Sequence, residues 1–222
     1  MPTNNPSSLL QSKNIPNHRR VAQLTHRRMA TFDYLKRLFL GVGYHMGTVA
    51  IPIHVLAKIF STPAMRKRAG LLFQLGIGIG KILRIKDLDE LVKAFDTLLT
   101  EFDALTGETP PKLNLFARLN KTFGDQQIGN DGPSPYGLLE MIHLPFEIDF
   151  MEAYISICEL LVLAYLKFAP TKGSDCPDSY LECIQRLDVK VKKHIIHGVI
   201  KEMDAVAKEL LTEQLHMISV SE

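Results

Sequence analysis

The sequence predicts an all-α protein: a single helical bundle of six or seven helices behind a disordered basic N-terminal tail. Three observations carry this. Phe146–Phe168 places Asp149, Glu152, Ser156, Glu159 and Lys167 on one narrow polar stripe and apolar residues on every other face, as expected of a helix enclosed by a bundle. Tyr180, Ile184, Leu187, Val191, Ile195, Val199, Val206 and Leu210 keep near-helical spacing from Pro177 towards Leu215, interrupted by polar Glu202. No stretch alternates convincingly with the period of a strand, and no internal repeat is visible. A chain of 222 residues is long enough to bury a real core, here as a tail over 1–16 and one domain over 17–222.

Met1–Pro16 is rich in Asn, Ser and Pro and reads as the tail. Asn17 is placed to cap a helix running through Phe39, with Val21, Leu24, Phe32 and Leu35 on one face. The first 32 residues have no acid and four arginines, a composition shared with mitochondrial targeting segments. Leu38–Ala57 carries no formal charge. Its twenty residues match a membrane span in length, but Gly41, Gly43, Gly47, His45, His54 and Pro52 dilute it. The soluble expectation is a buried helix broken near Pro52. Thr62-Pro63 is a helix start, with Thr as cap and Pro at the first helical position.

Gly76, Gly78 and Gly80 are unusual in a helix and suit close approach of another chain segment. They do not form a phosphate-binding loop: Ile82 stands where Ser or Thr must follow the lysine, and no strand precedes. Asp87 and Glu90 read as a capping box for a helix to about Leu105. Leu113–Phe123 reads as a short amphipathic helix and Gly124–Pro133 as a surface loop. Ser134-Pro135 opens a helix through Leu144, which Pro145 ends or kinks. Ala169-Pro170 closes the central helix, and Thr171–Asp178 is a loop.

The chemistry-bearing patterns are weak. Glu140/His143 and Glu213/His216 have the spacing of di-iron bundle ligands, with Glu101 and Glu152 or Glu159 as conceivable partners, yet Pro145 and the chain end make solvated positions the simpler reading. His194 and His197 lack further ligands. Cys158, Cys176 and Cys183 form no metal-type pair and suggest a reducing compartment. No catalytic, cofactor or metal residue is nominated.

Charge is divided sharply. Residues 1–86 carry fourteen Lys/Arg against one acid, Asp33, and residues 87–222 carry twelve against 23, giving +13 and −11. The basic part, 17–86, therefore either meets an anionic partner or docks on the acidic part, 87–222. Arg19, Arg20, Arg27, Arg28, Arg66, Lys67 and Arg68 are the candidate anion-binding residues; nucleic acid and anionic lipid are both possible ligands. The expected function is that of a non-catalytic intracellular interaction or scaffold protein, cytoplasmic, with a protein partner. The alternatives are a membrane-associated, mitochondrial protein using Leu38–Ala57, and a helical enzyme whose site is assembled from distant residues.

Overall fold

The structure, a computed structural model, describes residues 16–107, 137–170 and 176–220. The tail up to residue 15, the helix expected at 113–123, the loop at 124–133, the helix start at 134–135 and most of the 171–178 loop lie outside the described residues. Within them the chain is all-helical: α1 (Asn17–Phe39), α2 (Ile53–Phe60), α3 (Pro63–Ile82), α4 (Leu88–Thr106), α5 (Phe150–Phe168) and α6 (Asp178–Val191). From α6 a π-helical turn (Lys192–His197) runs without a break into α7 (Gly198–Val220). One isolated bridge, His45 with Val49, is the only β-type pairing among the described residues.

Helix α5 is the central element, packed chiefly against α1 and α3. Phe150, Tyr154, Ile157, Leu161, Ala164, Tyr165 and Phe168 are buried, whereas Glu152, Ser156, Glu159 and Lys167 face solvent. The helix begins at Phe150 rather than Phe146, because Asp149 is its cap: the carboxylate accepts the Glu152 N–H at 3.0 Å. Thr62 and Asp87 cap α3 and α4 as expected, accepting from Met65 N and Glu90 N. Asn17 does not cap α1. It is the first helical residue after Pro16, and its side-chain amide donates to the Cys176 carbonyl and to Asp178, tying the start of α1 to the start of α6.

Residues 137–149 form an irregular segment instead of the expected helix. Its backbone finds other partners. Glu101 on α4 accepts from the N–H groups of Gly137, Leu138 and Leu139, and Gln74 on α3 donates to the Ile142 carbonyl. Local helix propensity loses here to side chains that satisfy the backbone from outside.

The π turn follows from the apolar spacing. Leu187, Val191, Ile195, Val199 and Met203 recur every four residues, and all are fully buried. An α-helix advances 3.6 residues per turn, so a strict four-residue repeat would rotate off the core. The wider π turn removes that drift. Its backbone is held from two sides: Tyr154 on α5 donates to the Ile195 carbonyl at 2.9 Å, and Arg68 on α3 donates to the His194 carbonyl at 3.1 Å.

Leu161→Ala, at a fully buried site, should cost about 2–5 kcal/mol, and Glu152→Ala far less. Equal shifts in their urea midpoints would mean that α5 faces are misassigned. The α3 glycines give a finer test. A Cβ on Gly78 would lie 2.8 Å from Leu98 Cδ1, which is itself fully buried, whereas Gly80 has nothing within 4 Å of that position. Gly80→Ala should therefore stabilise the protein by about 0.5–1 kcal/mol, and Gly78→Ala should destabilise it through overpacking. Stabilisation by both would show that α3 and α4 are not in close contact at Leu98.

Candidate functional site

The candidate basic residues separate into different environments. On α1, Arg19, Arg20 and Arg27, joined by Arg37, fall within a sector of roughly 100° at 3.6 residues per turn, and all four are exposed. Arg28 points the opposite way and is a correction to the sequence expectation. It is 6 % exposed, and its Nε and Nη2 donate to the two carboxylate oxygens of Asp188 on α6 at 2.6 and 2.9 Å. At the start of α3, Arg66 pairs with Glu147 at 2.7 Å, Lys67 is exposed, and Arg68 folds back half-buried, its Cζ 5.9 Å above the Phe150 ring.

Asp188 is a junction of four elements. It accepts from Arg28 of α1 and Tyr165 of α5, and Lys192 of the π turn lies 3.1 Å away. Burial alone would raise its carboxyl pKa, but the Arg28, Lys192 and Tyr165 bonds and the guanidinium charge outweigh it and hold the group below the usual carboxylate range. Tyr165 is correspondingly pushed well above the ordinary phenol value, by burial first and by Asp188 second.

The basic part docks on the acidic part mainly through the packing of α1 and α3 on α5, and ion pairs between the two parts are few. Arg28, Lys36, Arg66 and Lys81 pair with Asp188, Glu159, Glu147 and Glu140. Other acids of 87–222 serve groups within that part: Asp96 binds Lys190 and Arg186, and Asp87 and Glu101 hold backbone amides. Among the described residues, no carboxylate pairs with Arg19, Arg20, Arg27, Arg37, Lys58, Lys67, Arg84 or Lys86 at ion-pair distance.

Leu38–Ala57 is not a broken buried helix. Chain 40–52 is a loop, because Gly41 and Gly47 sit at φ 71° and 73°, Met46 at φ 51°, and Pro52 precedes α2. Its inner side is anchored: Val49 and Ile51 are buried, and His45 is 2 % exposed. His45 Nε2 lies 2.7 Å from Asp204 on α7, and Nδ1 lies 3.2 Å from the Tyr34 hydroxyl, which also accepts the Met46 N–H at 3.0 Å. With the proton on Nε2, His45 donates to Asp204 and accepts from Tyr34. The outer side carries Leu40, Val42, Tyr44 and Met46 in alternation, with Ile53 beside them; all five are 50–74 % exposed. Sequence reading missed the His45 anchor, since Tyr34 and Asp204 are 11 and 159 residues away.

The weaker motifs are not assembled. Gly76–Gly80 lies inside α3. Glu140 pairs with Lys81 and Glu101 holds the 137–139 amides, so the conceived carboxylate set is dispersed. Among the described residues no group of three or more His, Cys, Asp and Glu is placed to hold a metal. Cys158 is buried, which pushes its thiol pKa up to about 12, and all three cysteines are unpaired by disulfides. No described helix is long and apolar enough to cross a membrane. Compared with protein-family models, curated proteins and solved structures, the chain matches none.

The depressed Asp188 value makes a pH prediction. The stabilisation it gives is complete above the unfolded carboxyl value of about 3.9 and is lost as pH falls through the lower folded value. Wild type should therefore exceed Asp188→Asn in stability at pH 6, and the gap should narrow as the pH falls below the unfolded value. Urea midpoints between pH 2 and 7 measure this; a gap independent of pH would remove the buried carboxylate from the account.

Proposed function

We propose that this is a non-catalytic binding protein that docks on an anionic lipid surface, with the uncharged 40–52 loop and Ile53 at the start of α2 entering the interface and the outer face of α1 lying over the headgroups. The observation that carries the reading is the loop itself: five large apolar side chains point outward from a segment whose inner side is fixed by His45, Val49 and Ile51. A fixed apolar loop inserts at a smaller ordering cost than a disordered one. The exposed cations Arg19, Arg20, Arg27 and Arg37 supply charge complementarity, and each basic residue near an anionic membrane contributes about 1 kcal/mol. The absence of a described spanning helix favours peripheral contact over a spanning arrangement.

A second reading, a protein-interaction scaffold, is favoured by α7. Leu211, Leu215 and Ile218 recur at i, i+4 and i+7 and are 45–67 % exposed, a spacing that fits a partner helix.

Co-sedimentation with vesicles containing phosphatidylserine tests the first reading. Binding should fall steeply between 50 and 300 mM salt. Val42→Asp and Met46→Asp should each weaken it about tenfold, as removal of 1.4 kcal/mol does, whereas Leu215→Glu should not. Vesicle binding that is absent at low salt, or indifferent to both loop variants, would leave the scaffold reading in its place.

A further inference from the structure

A second surface is independent of the loop and of α1. A cleft of about 530 Å³ opens where α3, the end of α4 and the π turn meet, within the range of small-molecule sites. Its lining includes the basic side chains Arg68, Lys193, His197 and Lys201 and the apolar side chains Leu71 and Phe102. Lys193, His197 and Lys201 are four residues apart in sequence, and the π turn reduces the drift that would otherwise spread them around the helix. No acid lines the cleft among the described residues. Asp103, close by, is already engaged by Lys193 at 2.7 Å and His194 at 2.8 Å; burial alone would raise its carboxyl pKa, but these two partners together outweigh it and hold the group below the usual range.

Arg68 is the decisive residue. A half-buried guanidinium is ordinarily matched by a carboxylate. Here it donates through Nη2 to the His194 carbonyl and lies over Phe150, and no described carboxylate pairs with it. Five N–H donors in a planar fork leave a bidentate face for an oxyanion. Its seat also depends on Gly198: a Cβ there would stand 2.8 Å from Nη1.

We propose that this cleft binds a phosphomonoester, with Arg68 forking two phosphate oxygens, Lys201 and His197 contributing further donors, and the organic part resting on Leu71 and Phe102. The dianionic head and apolar wall define the chemistry. Its source is either a soluble phosphomonoester or the headgroup of a phosphatidic acid membrane.

The test uses the full chain. Phenyl phosphate is titrated by calorimetry, and in a parallel arm the chain is bound to phosphatidic acid vesicles with phenyl phosphate as competitor. Arg68→Gln should weaken the responding arm at least tenfold, and Lys201→Gln at least threefold. Lys58→Gln, outside the cleft, should leave it unchanged. A saturable response to phenyl phosphate with this variant pattern assigns a soluble ligand; the same pattern confined to vesicles assigns the lipid headgroup. Should Arg68→Gln not fold, as judged by circular dichroism, the exposed Lys201→Gln decides. No saturable response in either arm, or a response indifferent to these substitutions, overturns the proposal. Vesicle binding that the 40–52 loop variants abolish while Lys201→Gln leaves it intact overturns the lipid arm of the proposal without touching the loop reading.

Discussion

The Arg28–Asp188 pair fixes the arrangement of the bundle because its two charges have nowhere else to go. Both side chains are almost wholly buried, at 7 % and 3 % exposure. Burying either charge alone would cost several kcal/mol, and breaking such a pair by removing one partner typically costs about 3–5 kcal/mol. Apolar packing of α1, α5 and α6 tolerates small slides; a bidentate guanidinium–carboxylate contact does not. Tyr165 then locks α5 to the same carboxylate, and Lys192 locks the first residue of the π turn. One carboxylate thereby sets the register of four elements, while the net gain over an apolar substitute is modest. Its contribution is to specify which faces meet.

The tyrosines of α5 continue this logic towards the rest of the molecule. Tyr154 buries its ring against Phe39 and Phe150, and Tyr165 against Phe32 and Phe168, yet each hydroxyl reaches a backbone carbonyl or carboxylate beyond those rings. Tyr180 does the reverse, donating from α6 to the Phe168 carbonyl at the end of α5. The core is therefore joined by directed bonds as well as by area, which is why α5 could not be exchanged for a merely apolar helix without loss of register.

Where the helices lie was readable wherever the cause is local. Caps at Thr62 and Asp87 act over three residues, and the apolar faces of α4 and α5 repeat with the helical period, so sequence alone places them. The failures share a different origin. The 137–149 segment is kept irregular by Glu101 and Gln74, tens of residues away; the 40–52 loop is anchored by Asp204; and Arg28 is withdrawn from the surface by Asp188. None of these partners has a sequence signature. The π turn is intermediate: the four-residue repeat from Leu187 to Val199 is visible in the sequence, and its conflict with a 3.6-residue period is a local signal that the reading as ordinary helix passes over.

The same division explains why charge segregation does not collapse into internal neutralisation. If the +13 and −11 parts attracted one another freely, the exposed arginines of α1 would sit among carboxylates. Geometry prevents it. α1 offers the acidic part its inner face, whose apolar residues Val21, Phe32 and Leu35 are fully buried and whose one buried cation is Arg28. Arg19, Arg20, Arg27 and Arg37 are held on the far side of a rigid helix, where surface pairing would yield only about 0–1 kcal/mol each in any case. Hydrophobic burial decides which way α1 faces, and the surplus cations are carried outward as a consequence. A field of one sign, borne on a fixed face beside an apolar loop, then becomes available to a partner outside the chain.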